Sequence, residues 1–306
     1  MVKCKVCDKE FENDRRLHAH LKAHKLKMVD YYNKYEPRKD LLTGEFIKFK
    51  NKDYYFSRDF NNKNNMKKWL LLQMPDKQKD YLKSLLSRRK LKHNLKYTPT
   101  EVELRSITSP PSFFYNQVLG DYYQTCKDLN YVNKYQYPTE PLCYKIKDGF
   151  KIYVDTREQQ PLKIDYPTEA RGLKFGDYAL NDPNNKCYIE RKSIKDFIGT
   201  LSGGYERFCR EIERAIAANA HLVVLVERPL AECLAFNYLD YVYKKTQATP
   251  EFVFFNVRNI IQKYPEAQFL FVKGREECVR VMKRIFFSEG QFRNYDLQLM
   301  YNLKLL

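Results

Sequence analysis

CYIERKSIKDF, residues 187–197, decides how the chain is read. Cys187, Tyr188 and Ile189 are apolar and partly β-branched, as a buried strand requires. The strand then runs into Glu190, Arg191 and Lys192, and Asp196 follows. Side chains two apart on a strand share a face, so Glu190 and Lys192 project together and Arg191 projects the other way. Mixed charge at a strand end fits a surface salt-bridge ladder as well as a site, so the neighbouring residues must decide.

Upstream, Asp177 follows Gly176 on a second strand, joined to the first by the turn-rich NDPNN of 181–185. If the two strands pair, Asp177 comes close to Glu190. Two carboxylates make a site for a hard cation, Mg2+ or Mn2+. Lys192 beside them can hold an attacking water or a phosphate oxygen. That set suits metal-assisted hydrolysis of a phosphodiester.

The surrounding chain alternates strands and helices. KIYVD (151–155), LKFGDYAL (173–180) and CYIERK (187–192) read as strands. Residues 193–201 and 203–218 read as helices. HLVVLVE (221–227) is a continuous apolar run, as in a central strand buried on both faces. Residues 250–263 read as helix, AQFLFV (267–272) as another buried strand, and 274–288 as an amphipathic helix. The pattern predicts an α/β domain, a mixed sheet flanked by helices, over residues 146–289.

The blocks V-D-T-R-E (154–158), G-D (176–177), E-R-K-S-I-K-D (190–196) and Y-E-R-F-C-R-E (205–211) resemble the nuclease domain of the XPF family of structure-selective endonucleases. The resemblance covers residues 148–289. It implies a restriction-endonuclease-like fold of the PD-(D/E)XK type and catalytic residues Asp155, Glu158, Asp177, Glu190, Lys192 and Asp196. Asp177 and Glu190 match the metal-binding acids and Lys192 the catalytic lysine. Glu158 would orient a metal water or Arg157, and Arg191 would brace the scaffold or contact phosphate. Arg207 and Glu211 resemble an element beside the active cleft. The resemblance further implies DNA as substrate, branched or with single-strand/duplex junctions, work in DNA repair or recombination, and homodimers or heterodimers through the nuclease domain. The family's paired helix-hairpin-helix is not recognisable in residues 290–306, read here as a C-terminal tail. DNA grip is therefore expected elsewhere.

Charge points to where. Of the net +17, residues 1–150 carry 31 Lys/Arg against 18 Asp/Glu. Such an excess favours a nucleic-acid partner. No apolar run spans a bilayer and MVKCKVCDKE is too polar for a signal peptide, so no membrane association and an intracellular place, nuclear or cytoplasmic, are expected. Eight cysteines without framework spacing read as reduced thiols.

Cys4, Cys7, His20 and His24 follow C-x2-C-x12-H-x3-H, the spacing of a tetrahedral Zn2+ shell. With Phe11 and Leu17 as core, residues 1–27 resemble a C2H2 zinc finger with a ββα fold. Base-reading positions would fall on Asn13, Arg16 and Ala19, with Arg15 nearby. His18 reads as a solvent-facing bystander. Residues 28–45 read as a linker or loose helix, and 46–60 as two short strands. Residues 46–140 form a mainly helical, basic and aromatic-rich region, ending at the Pro138 and Pro141 breakers. There Lys67, Lys68, Arg88, Arg89, Lys90, Lys92 and Lys96 are the candidate phosphate contacts.

The leading reading is a metal-dependent DNA endonuclease positioned by the finger and the basic region. Two others stand beside it: a sequence-specific nuclease of a virus or mobile element, and a non-catalytic DNA-binding subunit.

Overall fold

The computed structural model describes residues 1–239, 242 and 247–306. The chain divides into two compact units, residues 1–78 with 108–110, and residues 79–107 with 111–306.

The first unit opens with a hairpin, β1 (Val2–Lys3) antiparallel to β2 (Glu10–Phe11). Helix α1 (Asp14–His20) comes next, capped by Asn13, whose side chain accepts from Arg16 N, and passes into a 3-10 turn at Leu21–His24. The expected ββα unit is present, but it does not end at residue 27. Helix α2 (Met28–Tyr35) occupies the expected linker. Its Tyr31 and Tyr32 share one buried cluster with Cys4, Leu17 and Leu21 of the finger and with Ile47 and Tyr55 beyond it. Two buried tyrosines at adjacent helical positions contribute enough apolar contact to join the finger to α2. His18 is no bystander either: its Nε2 lies 2.9 Å from Tyr32 Oη. The two strands expected over 46–60 are replaced by helix α3 (Lys52–Phe56), because Asn51 caps it by accepting from Tyr54 N and Tyr55 turns inward. Helix α4 (Lys63–Leu71) and the start of α5 (Pro75–His93) follow in this unit, separated just before Pro75.

The second unit is built on a six-stranded mixed sheet of order β4-β3-β5-β6-β7-β8. These are β3 (Ile152–Val154), β4 (Thr168–Ala170), β5 (Tyr178–Leu180), β6 (Cys187–Lys192), β7 (His221–Val226) and β8 (Ala267–Phe271). β5 is antiparallel to β3 and β6, while β6, β7 and β8 run parallel. Strand β4 is an exposed edge that the sequence pattern does not reveal.

The pleat sorts the side chains as period 2 requires. Leu222, Val224 and Val226 of β7 pack with helices α9 (Ile194–Leu201), α10 (Tyr205–Ala217) and Pro250–Lys263. Val223 and Leu225 pack on the other face, against the helix Gly274–Phe286. Both faces are covered, which explains the unbroken apolar run.

Two expected boundaries give way. Residues 79–107 and 111–140 belong to the same compact unit as the sheet, across the Pro138 and Pro141 breakers. Helix α6 (Glu101–Arg105) is the reason: Glu101 is fully buried, its N–H donates to Asp296 Oδ2 at 2.6 Å, and its Oε1 accepts from Asn302 Nδ2 at 2.9 Å. Gln262 exchanges hydrogen bonds with the Tyr97 backbone at 3.1 Å each way. Buried polar groups must be matched in place, so these partners fasten the segments together. The expected tail is likewise core, with Phe292, Leu297, Met300 and Leu306 buried under the sheet. Helices α7 (Ser112–Leu119) and α8 (Tyr122–Asp128) are separated at Gly120 (φ +85°).

Candidate active site

The site forms where β3, β5 and β6 end together. Gly176 sets its geometry. It sits at φ +59°, and a Cβ there would lie 2.9 Å from Ile189 O of β6. Only glycine allows so close an approach. Asp177 N then donates to Ile189 O at 2.8 Å, and Asp155 N donates to Asp177 O at 2.8 Å, stitching the three strand ends together. Gly176→Ala is expected to push β5 off β6 and cost about 1–3 kcal/mol or more. Thermal melting checks it.

Cys187 and Ile189 pack in the cluster against the Gly274–Phe286 helix, so Glu190 and Lys192 face the opposite side and Arg191 does not. Lys192 Nζ donates to Glu190 Oε1 at 2.5 Å and lies 5.7 Å from the centre of the Phe208 ring. Asp177 Oδ2 accepts from Arg191 N at 2.8 Å. Burial and then the Glu190 carboxylate push the Asp177 carboxyl up to about 7. Glu211 of α10 is raised for the same reasons, burial first and Glu190 second. Asp177, Glu190, Lys192 and Glu211 thus form one electrostatic group. Two acids that resist ionising together fit a hard cation, which relieves their repulsion.

Asp155 stands beside this group with its own counterion. Its carboxylate accepts from Arg157 Nε at 3.0 Å, Arg157 Nη2 at 2.5 Å and Arg157 N at 2.8 Å. Arg157 holds its carboxyl below the ordinary range. So Arg157 is oriented by Asp155, not by Glu158 as the resemblance implies.

Glu158 serves the far side of the sheet. It takes Arg191 Nε at 3.0 Å and Nη2 at 2.9 Å, with side chains only 7% and 5% exposed for Arg191 and Glu158. Arg191 Nη1 also reaches Glu227 Oε2 at 3.1 Å, and Arg275 Nη1 meets the same oxygen at 3.1 Å. Of the two roles open to Arg191, these buried ion pairs are those of a brace. Sequence reasoning misses Glu227, although an acid closing the apolar run LVVLVE is a signal in the same form as Glu190. Removing Arg191 leaves the buried Glu158 without its ion-pair partner and Glu227 with Arg275 alone, so Arg191→Ala is expected to cost about 3–5 kcal/mol in denaturant unfolding.

Asp196 is not gathered with the other acids. It is exposed at the third position of α9, where its N–H donates to Ser193 Oγ at 3.2 Å and its Oδ2 accepts from that hydroxyl at 2.5 Å. That is a helix cap. Arg207 is exposed on α10, one turn before Glu211.

The N-terminal set is assembled separately. Cys4, Cys7, His20 and His24 offer ligand atoms all within 4.8 Å of one another. His20 Nε2 and His24 Nε2 lie 3.2 and 3.3 Å from Cys7 Sγ, and 3.0 Å apart. Ligand atoms about 2.0–2.3 Å from a tetrahedral Zn2+ stand about 3.3–3.8 Å from each other, so these donors, at or slightly inside that spacing, suit that ion. Arg15 is exposed, and Arg16 pairs with Glu12 at 3.3 Å in solvent.

Of the candidate phosphate contacts, Lys67, Lys68, Arg88, Lys92 and Lys96 are exposed. Arg89 and Lys90 are not available in that way. Arg89 is 10% exposed and meets Glu103 at 3.5 Å, and Lys90 Nζ donates to Asn130 O at 2.6 Å. They fall three and four residues after the buried Leu86, on the inner stripe of α5.

No helix among the described residues is long and apolar enough to cross a membrane. Residues 154–284 match the family profile described as ERCC4 domain. Among solved structures, XPF from Aeropyrum pernix is similar at 18% identity and a TM-score of 0.34. The structure of XPF from Aeropyrum pernix in complex with DNA is similar at 20% identity and a TM-score of 0.32. Each match covers 44% of this chain and 64% of the other, so the chain spans less than two thirds of either. No curated protein matches.

Proposed function

From the ERCC4 domain that residues 154–284 form, we propose that the chain is a Mg2+- or Mn2+-dependent DNA endonuclease. Its substrate is branched or flapped DNA, cut near a duplex/single-strand junction. One observation carries this reading: Asp177, Glu190 and Lys192 meet on one face at the ends of two paired strands, with the Asp177 carboxyl raised to about 7 by burial and by Glu190.

Asp177 and Glu190 would hold the cation. When bound, it polarises the phosphodiester and makes a nucleophile of water at neutral pH. The chain's own groups do the rest. Lys192, held at Glu190 Oε1, offers its ammonium to a phosphate oxygen. Arg157, braced on Asp155 and 72% exposed, offers its guanidinium to the same DNA strand. The backbone N–H of Arg191 orients the Asp177 carboxylate. Hydrolysis adds water across a P–O bond and leaves 5′-phosphate and 3′-hydroxyl ends. Cys4, Cys7, His20 and His24 hold a structural Zn2+, and the basic first unit positions the substrate.

Labelled flap, fork and linear duplexes of several sequences, incubated with Mn2+ and read at nucleotide resolution, test the reading. Cuts that track the junction in every sequence support it. One preferred sequence, cut even in linear duplex, would instead mean a site reader.

A further inference from the structure

The connection between α4 and α5 puts three large apolar side chains into solvent. Leu71 is 63% exposed, Leu72 74% and Met74 76%. Large apolar side chains exposed together mark a contact surface. The connection is also held in shape. Leu72 N donates to Trp69 O and Gln73 N to Leu70 O, each at 3.1 Å. Gln73 Nε2 donates to Trp69 O and Gln78 Nε2 to Gln73 O, each at 3.0 Å. Pro75 starts α5 with a fixed φ.

Helix α4 separates two faces. Met66 and Leu70 are buried, and Trp69 leans on Phe60 with ring centroids 5.6 Å apart. Lys67 and Lys68 are exposed, each four residues before Leu71 and Leu72 respectively, so cations and apolar tip share one side. Lys77, also exposed, lies beyond the tip with its Nζ 5.8 Å from the Trp69 ring centre. Residues 1–78 carry 19 Lys/Arg against 11 Asp/Glu. The complement to such a surface is a polyanion with an apolar interior that can be opened.

We propose that Leu71, Leu72 and Met74 form a wedge that enters the base stack of DNA at a duplex/single-strand junction, with Lys67, Lys68 and Lys77 on the flanking phosphates. Apolar wedges between base steps carry an unstacking cost that is smallest where pairing already ends. The wedge rests on the reading of the chain as one that acts on DNA, but its test measures binding rather than cutting.

The test uses the full chain carrying Asp177→Asn, so that bound DNA stays whole, and a flap with 2-aminopurine at the branch. Binding should raise the 2-aminopurine fluorescence. Adding Leu71→Ser, Leu72→Ser and Met74→Ser together should remove that rise. The same change should weaken flap binding at least ~10-fold, as loss of base stacking does, and leave linear-duplex affinity within about twofold. Lys67→Glu with Lys68→Glu should weaken both DNAs and flatten the salt dependence. Leu72→Ser alone, the mildest change at an exposed site, should give part of the fluorescence loss at an unchanged melting temperature. Unaltered unstacking in the triple variant overturns the wedge. So does a triple variant that keeps full flap affinity while losing binding to phosphatidylserine vesicles. Unstacking by a chain that cuts nothing in the Mn2+ panel would count against the nuclease reading alone.

Discussion

Asp177→Asn is expected to lower single-turnover cleavage by at least ~10³-fold, in line with losing a ligand to a catalytic cation. The same change is expected to make the protein more stable at pH 8 in chelator. The raised carboxyl sets the sign. In the folded chain the Asp177 carboxyl sits at about 7, driven up by burial and then by Glu190, against an ordinary value of 3.8. The folded state therefore binds this proton more tightly than the unfolded state. Its favourable contribution is complete below about pH 4 and is withdrawn as pH rises toward 7. At pH 8 wild type bears an ionised, buried carboxylate beside Glu190, and the asparagine does not. The gain is on the order of 2–4 kcal/mol, several degrees in Tm, and it should vanish near pH 4. Saturating Mn2+ should narrow it, because the cation compensates the two acids in wild type alone. Melting curves from pH 4 to 8, with and without Mn2+, check every part.

The second large effect concerns the N-terminal metal. Stripping Zn2+ from a Cys2His2 set removes on the order of 10 kcal/mol of folding free energy from a small domain. Here the loss should spread past residue 27. Cys4, Leu17 and Leu21 share their buried cluster with Tyr31, Tyr32, Ile47 and Tyr55, and Lys5 N donates to Tyr31 Oη at 3.0 Å. A strong chelator, or Cys7→Ser, should therefore expose amides from residue 2 to about residue 56 to hydrogen exchange, while β6, β7 and β8 stay protected. Exchange confined to residues 1–27 would mean that the finger folds independently of α2 and α3.

The site is legible in sequence where a residue breaks the pattern of its own element. Glu190 and Lys192 stand out because charge ends an apolar strand. Asp177 stands out because a glycine precedes it and a tight turn comes after, and the close approach of Gly176 to Ile189 O is what that glycine allows. The partners of those residues are not legible. Arg191 meets Glu158 and Glu227, 33 and 36 residues away, and no local pattern encodes a pairing across a sheet. Asp155 and Glu158 have the same charge and lie in one five-residue block, yet one pairs with Arg157 and the other with Arg191 across the sheet. Domain boundaries fail for a related reason. Prolines at 138 and 141 do break local structure, but Glu101 and Asp296 are joined by a buried hydrogen bond that only the fold creates. Arg89 and Lys90 look like part of a basic stripe, and helical phase turns them inward.

The central claim is that Asp177 and Glu190 hold a divalent cation with which Lys192 and water cut DNA. Single-turnover cleavage of a labelled flap by wild type and by Glu190→Gln, titrated with Mn2+ from chelator to saturation, tests it most directly. The account predicts cutting near the junction by wild type that rises with Mn2+ and stops in chelator, and no cutting by Glu190→Gln at any concentration. Wild-type cleavage that persists in chelator, or a Glu190→Gln chain that cuts at the wild-type rate, would contradict it.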